Sequence, residues 1–343
     1  MNEEALMHRA VELSLLGRGV TYPNPIVGAV VATSEGEIIA QVFHQGKEHA
    51  EVLALDELQS IGNRFQDLTL FLTLEPCNHH GKTPPCSDAI LTRGRDLGIT
   101  RVLYAVSDPN PIAQGGAEKI RDGGMQIEKM EYAEARFSNR DWLTKIRLGR
   151  PRIVWKVATS LDGAIAAKDG SSKWITNEFS RSDVRLERSK SDAILTGTGT
   201  VIADDPSMLG AERNPVRVVI GEREISDEKK IFSRDAETIR IKGRNFDQML
   251  EVFTTRGFNR VFVESGPTLG TALFMAGLVD EILLYQAPSI IGSNERFTKG
   301  LDLDRIDQQI RFLSEETQEI GGDIKRLLFL ENAMNWEFSC SPA

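Results

Sequence analysis

Cysteine is scarce in this 343-residue chain. There are three, too few for the disulfide framework that staples small secreted domains. No apolar stretch reaches the roughly 20 residues of a membrane span, and the opening MNEEALMHRAVELS is acidic and polar-interrupted where a signal peptide is basic and then continuously apolar. Positive charge is also short: 50 acidic against 41 basic residues give a formal charge of −9. That argues against broad contact with nucleic acid or an anionic membrane and confines any phosphate site to a few local cations. The dinucleotide fingerprint G-x-G-x-x-G is absent too. A cytoplasmic globular protein fits these absences, and the length suits two domains, each with its own core.

Two of the three cysteines fall in LEPCNHHGKTPPC, Leu74 to Cys86, which belongs with His49-Ala50-Glu51. A catalytic zinc takes three protein ligands and leaves its fourth position to water. His49, Cys77 and Cys86 supply such a set, and Glu51 supplies a carboxylate for proton transfer. Zinc nucleobase deaminases carry H-x-E followed by P-C-x-x-C, and His49-Ala50-Glu51 with Pro76-Cys77 fit that pattern. Residues two apart face opposite sides of a helix, so His49 and Glu51 can share a cavity only where a helix begins. Gly46 marks a turn before them, and Glu51 to Leu58 are good helix formers. Pro84 and Pro85 likewise suit a helix start just before Cys86. Singly, each of these residues reads as a buried hydrophobe or a core histidine; the joint pattern points to a metal. His79 or His80 would complete a closed structural site, or else line a pocket or face solvent.

Eight residues separate Cys77 from Cys86 where most deaminases have two. With that spacing, HAE, and TYPNPIVGAVV at Thr21 to Val31, the chain resembles the pyrimidine deaminase half of the bifunctional riboflavin-biosynthesis deaminase/reductase family. The resemblance implies a cytidine-deaminase-like three-layer domain and makes Asn24, between two prolines, and His44 contacts to a pyrimidine, with Lys82 and Thr83 as further pocket residues. DPNPIAQGG at Asp108 to Gly116 departs from the family pattern, which carries a basic residue in that loop.

In chain order, residues 2 to 17 read as an amphipathic helix and Ile26 to Ala32 with Glu37 to Phe43 as a hairpin. The His49 helix, a strand at Leu68 to Leu72, the Cys86 helix and a strand at Arg101 to Val106 follow, implying a mixed sheet covered by helices. One helix is expected across Ala133 to Leu148. The boundary falls at Gly149-Arg150-Pro151, giving a deaminase domain over 1–148 and a second domain over 151–343.

The second domain shows strands at Arg152 onward, Ala193 to Leu195, Val216 to Ile220, Thr238 to Ile241, Arg260 to Glu264 and Glu281 to Gln286, an α/β pattern. After Glu264 a Gly-rich turn opens a helix near Thr268, the geometry of a phosphate site. KVATSLDG, GSSKWIT and TGTGTVIADDP resemble the family's reductase half, which implies a dihydrofolate-reductase-like fold binding NADPH. Carried over by position, Ala158, Trp174, Thr200, Asp204 and the loop Gly266, Pro267, Thr268, Leu269, Gly270, Thr271 and Ala272 would contact NADPH. Ser172, Arg188, Met208 and Glu264 would contact substrate. Arg181, Arg185 and Arg188 share one helix face, where the first two serve equally well as a solvated surface. The register slips after Pro206, leaving Arg213 open as a stand-in for a family arginine, and Gly221-Glu222 replaces a cofactor-contacting aspartate and small polar residue.

By resemblance the partners are a phosphorylated pyrimidine and a second copy of the chain, with no nucleic acid and no membrane. The reactions implied are hydrolytic deamination and then reduction of a ribosyl to a ribityl side chain. A deaminase with a weakened reductase, a nucleotide or tRNA deaminase, and a zinc-stabilised scaffold are the competing readings.

Overall fold

Helix-forming and strand-forming runs alternate along the chain, and in the computed structural model, which describes residues 1–62, 65–80 and 84–330, they gather into two compact units divided between Gly149 and Arg150.

In the first unit, α1 (Glu3–Leu15) is capped by the Asn2 side chain, which accepts the Ala5 N–H at 2.8 Å, and buries Leu6, Met7, Ala10, Val11 and Leu13. Strands β1 (Gly28–Ala32) and β2 (Ile38–Phe43) pair antiparallel. Gly28 lets α1 cross close above β1, since a Cβ there would overlap the Ala10 carbonyl. Helix α2 (Ala50–Ile61) ends on left-handed Gly62. Strand β3 (Leu68–Leu74) is buried at every position but Thr69, as a central strand covered on both faces requires. Then come α3 (Cys86–Ala89), continued by a π-helical turn over Ile90–Gly94, β4 (Ile99–Val106), α4 (Gly116–Asp122) and β5 (Gln126–Lys129). The sheet runs β2-β1-β3-β4-β5, with β3, β4 and β5 parallel.

The single helix expected over 133–148 is instead two, α5 (Ala133–Ser138) and α6 (Arg140–Leu148). Asn139 lies between them outside helical geometry, and its buried side chain accepts the Ile26 N–H at 3.2 Å. A tertiary hydrogen bond wins over local helix propensity there.

In the second unit, β6 (Arg152–Thr159), β7 (Ala193–Gly197), β8 (Val216–Gly221), β9 (Thr238–Lys242), β10 (Arg260–Val263) and β11 (Glu281–Gln286) are mutually parallel. Helices α7 (Glu178–Ser189), α8 (Thr198–Asp204), α9 (Phe246–Arg256) and α10 (Pro267–Met275) connect several of them. The pair β12 (Phe312–Ile320) and β13 (Asp323–Leu330), absent from the sequence expectations, closes through Gly321-Gly322, both with positive φ, and adds antiparallel to β11. The order is β12-β13-β11-β6-β10-β7-β8-β9. Because the six parallel strands run one way, their carboxyl ends share one edge, where open α/β sheets bind ligands.

Candidate metal and cofactor sites

The cap residue of α2 is His49 itself, in extended geometry, and Glu51 lies in the first helical turn. This is the helix-start arrangement that the HAE spacing requires. Cys77 follows the end of β3 by three residues, and Cys86 opens α3 directly behind Pro85. The Ser87 N–H donates to the Cys77 carbonyl at 3.2 Å, tying the two cysteine segments together.

His49 Nδ1 stands 3.2 Å from Cys86 Sγ and 3.6 Å from Cys77 Sγ. Their ligand atoms all lie within 4.8 Å of one another. A zinc with Zn–S of about 2.3 Å and Zn–N of about 2.0 Å at tetrahedral angles would place N and S about 3.5 Å apart, so the donor set fits the ion. Among the described residues the cluster holds three donors; neither His79 nor His80 joins it. His80 is exposed and His79 half-buried.

With the donors uncoordinated, they share protons among themselves, which a bound metal would displace. A hydrogen bond from Cys86 pulls the Cys77 thiol down to about 4 and pushes Cys86 up, so the pair keeps one proton between them. His49 is held at about 9, chiefly by its hydrogen bond with Cys77. Burial pushes the Glu51 carboxyl, 3% exposed, up to about 7. A carboxyl titrating near neutrality is poised to take and return a proton.

His44 is buried with its ring edge-on to His49 at 5.5 Å. Its Nδ1 meets the Glu48 carbonyl at 2.6 Å, while its buried Nε2 has no protein partner. Burial lowers its pKa. Asn24 is half-buried in a turn closed by its N–H on the Thr21 carbonyl at 2.9 Å. Lys82 and Thr83 lie outside the described residues.

Two acids here escaped the sequence reading. Glu75, in the same LEPC motif, is buried and accepts the Asp108 N–H at 3.1 Å through one carboxylate oxygen and the Ala117 N–H at 3.0 Å through the other. Burial pushes Asp108 up to about 6. The DPNP run was the available signal, since Asp before Pro marks a rigid turn. Gly116 packs so tightly that a Cβ would overlap the Pro76 carbonyl. Gly116→Ala therefore displaces the backbone beside Cys77, and deamination measured as ammonia release should fall at least tenfold while NADPH oxidation by the second unit is unchanged. Equal deamination would mean the loop tolerates the shift.

At the carboxyl edge of the larger sheet, Ala158 is the penultimate residue of β6 and Thr200 lies in the first turn of α8 after β7. Glu264 to Gly266 follow β10, and Gly266 caps α10 with Pro267 in its first turn. Thr200 Oγ1 accepts the Gly266 N–H at 3.1 Å, joining the two loops. The buried hydroxyls Thr196 Oγ1 and Ser265 Oγ, at the ends of β7 and β10, have no protein partner, and with the α10 N-terminus they fit a polar, anionic cofactor. Replacing the Thr200 hydroxyl by a methyl (Thr200→Val) removes a hydrogen bond worth about 1 kcal/mol. NADPH and NADH should both bind about 2- to 10-fold more weakly by fluorescence titration, and unchanged affinity would mean that the cofactor does not lie on these two loops.

Trp174 is 70% exposed, with the Arg181 guanidinium 4.4 Å above its ring. Ser172 is half-buried in the preceding loop. Asp205 takes the left-handed turn after α8 (φ 45°), leaving Asp204 as the last helical residue; Met208 also has positive φ and is buried. Arg188 grips Glu264 through two nitrogens, at 2.5 and 3.0 Å, and donates to the Leu209 carbonyl at 3.1 Å. Arg213 donates to the Ser191 carbonyl, which precedes β7 at the opposite, amino edge of the sheet, so it does not replace a site arginine.

The Cytidine and deoxycytidylate deaminase zinc-binding region matches residues 1–106, and the RibD C-terminal domain matches residues 151–325. The riboflavin biosynthesis protein RibD of Mycobacterium tuberculosis is 38% identical over 93% of this chain and 94% of its own length. The chain belongs to the RibD family. RibD of Escherichia coli is 34% identical over 94% of this chain and 98% of its own. A crystal structure of a diaminohydroxyphosphoribosylaminopyrimidine deaminase/5-amino-6-(5-phosphoribosylamino)uracil reductase from Thermotoga maritima superposes with a TM-score of 0.86 at 30% identity, covering 95% of this chain and 98% of that one. As a RibD protein the chain is a bifunctional enzyme of riboflavin biosynthesis, with a zinc-binding cytidine-deaminase-like half and a dihydrofolate-reductase-like half that uses NADPH. No helix among the described residues is long and apolar enough to cross a membrane.

Proposed function

We propose that the first unit deaminates 2,5-diamino-6-ribosylamino-4(3H)-pyrimidinone 5′-phosphate and that the second reduces the ribosyl chain of the product to ribityl. The observation that carries the first step is the convergence of His49, Cys77 and Cys86 on one point, with the buried Glu51 carboxyl in the first turn of the helix that His49 caps. His49, Cys77 and Cys86 hold zinc, which when bound acidifies a water molecule and so supplies the nucleophile. Glu51 takes one proton of the attacking water and passes it to the ring nitrogen, then takes the second from the hydroxyl now on the ring carbon and gives it to the departing amine, so that ammonia leaves and a uracil ring remains. Asn24 and the unpartnered Nε2 of His44 orient the pyrimidine.

In the second unit NADPH supplies hydride when bound. The ledge of Ala158, Thr200, Asp204 and Gly266 to Ala272 holds it, with Trp174 covering it from the exposed loop. Ser172, Met208 and the Arg188–Glu264 pair shape the substrate pocket. Arg188 spends most of its donors on Glu264 and Leu209, so its part is to fix Glu264 and leave at most one face for a phosphate. The deaminase domain over 1–148 and the reductase domain over 151–343 work in the cytoplasm as a homodimer, a reading supported by the scarcity of cysteine, the acidic charge and the resemblance. Incubating the purified chain with the diaminopyrimidine releases ammonia without NADPH, and adding NADPH then starts its oxidation. NADPH oxidation that precedes ammonia release would reverse the order of steps.

A further inference from the structure

The cofactor ledge crosses the sheet edge in strand order, from Ala158 on β6, through Gly266 after β10, to Thr200 after β7. The next strand outward is β8. It is bound to β7 in parallel register, Gly197 opposite Ile220. The first residue beyond this register, Gly221, takes a backbone conformation that only glycine adopts readily (φ 146°) and is packed so closely that a Cβ there would overlap the Thr198 hydroxyl. The loop after β8 is therefore pressed onto the TGTGT turn, and its Arg223 reaches over it. Arg223 Nη1 stands 3.7 Å from where a Gly199 Cβ would be. Arg223 is exposed, and among the described residues no carboxylate or carbonyl engages its guanidinium.

For a dinucleotide whose pyrophosphate meets the start of α10 and whose nicotinamide lies toward β6, this free guanidinium one strand further out meets the adenosine end. NADPH differs from NADH there by one phosphate on the 2′ oxygen, and arginine is the side chain whose planar fork matches a phosphate. We propose that Arg223 recognises the 2′-phosphate of NADPH and sets the preference for NADPH over NADH. The flanking Glu222 and Glu224 work in the opposite sense, since a carboxylate repels that phosphate and suits the bare 2′-hydroxyl of NADH. Of the three it is Arg223 whose side chain overlies Gly199. The assignment rests on the proposed ledge and extends it by one strand.

The test titrates the full chain with NADPH, NADH and 2′,5′-ADP, following cofactor fluorescence or heat of binding. Arg223→Gln should weaken NADPH and 2′,5′-ADP by about 10- to 100-fold, the scale of a charge-assisted phosphate contact, and leave NADH unchanged. Arg223→Lys should recover part of the loss, because the charge remains and the fork does not. Equal affinity ratios in wild type and Arg223→Gln overturn the assignment. Thr200→Val separates the two levels: it should weaken NADPH and NADH alike, so no effect there defeats the ledge, whereas an effect there with an inert Arg223→Gln defeats the 2′-phosphate site alone.

Discussion

Glu51→Gln should abolish ammonia release by about 10²- to 10⁴-fold or more while zinc content stays stoichiometric and NADPH oxidation on the pre-deaminated pyrimidine continues at the native rate. Glutamine keeps the shape of the side chain and a hydrogen-bonding oxygen, and it removes only the ability to carry a proton. Burial already holds the Glu51 carboxyl near 7, so the neutral amide adds no desolvation cost to the fold. The metal donors are His49, Cys77 and Cys86, none of which changes. A variant with near-native ammonia release would remove Glu51 from the proton path, and loss of zinc along with activity would make it a support for the donors instead.

Chelation is the complementary experiment and should have an equally large effect. Stripping zinc from the native chain should end deamination outright, because a water molecule without a Lewis acid is not acidic enough to supply hydroxide near pH 7. The reductase unit has its own sheet and core and takes no donor from the cluster, so NADPH oxidation of the deaminated substrate should persist. Thermal melting followed with and without chelator should show the first unit weakened, since a ligand bound only by the folded state stabilises it. If both activities vanish together, the ion supports the whole chain and the two units do not divide the labour.

The zinc donors were legible because chemistry restricts them to few residue types at helix starts and strand ends, and HAE with PC and PPC carries both. The parallel strands were legible from their apolar runs between turn residues. The pairing of Arg188 with Glu264 was not, as 76 residues separate the partners and the helix-face pattern of Arg181, Arg185 and Arg188 fits solvent equally well. Nor was the break at Asn139, because its cause is a hydrogen bond to Ile26 that no local window contains. The β12–β13 pair stayed hidden since the chain beyond Gly292 has little resemblance to follow, although Gly321-Gly322 was a hairpin signal in plain view. Cys340 lies outside the described residues.

The carboxylate of Glu75 holds the amides of Asp108 and Ala117 at once, and the Asn78 N–H donates to the Ala113 carbonyl at 2.8 Å. Those three bonds rivet the 108–117 loop to the turn that carries Cys77. Swinging it aside would pull on the segment that carries Cys77, so the 108–117 loop, with Ala113 packed against Cys77 and Cys86, is a fixed jamb beside the donors.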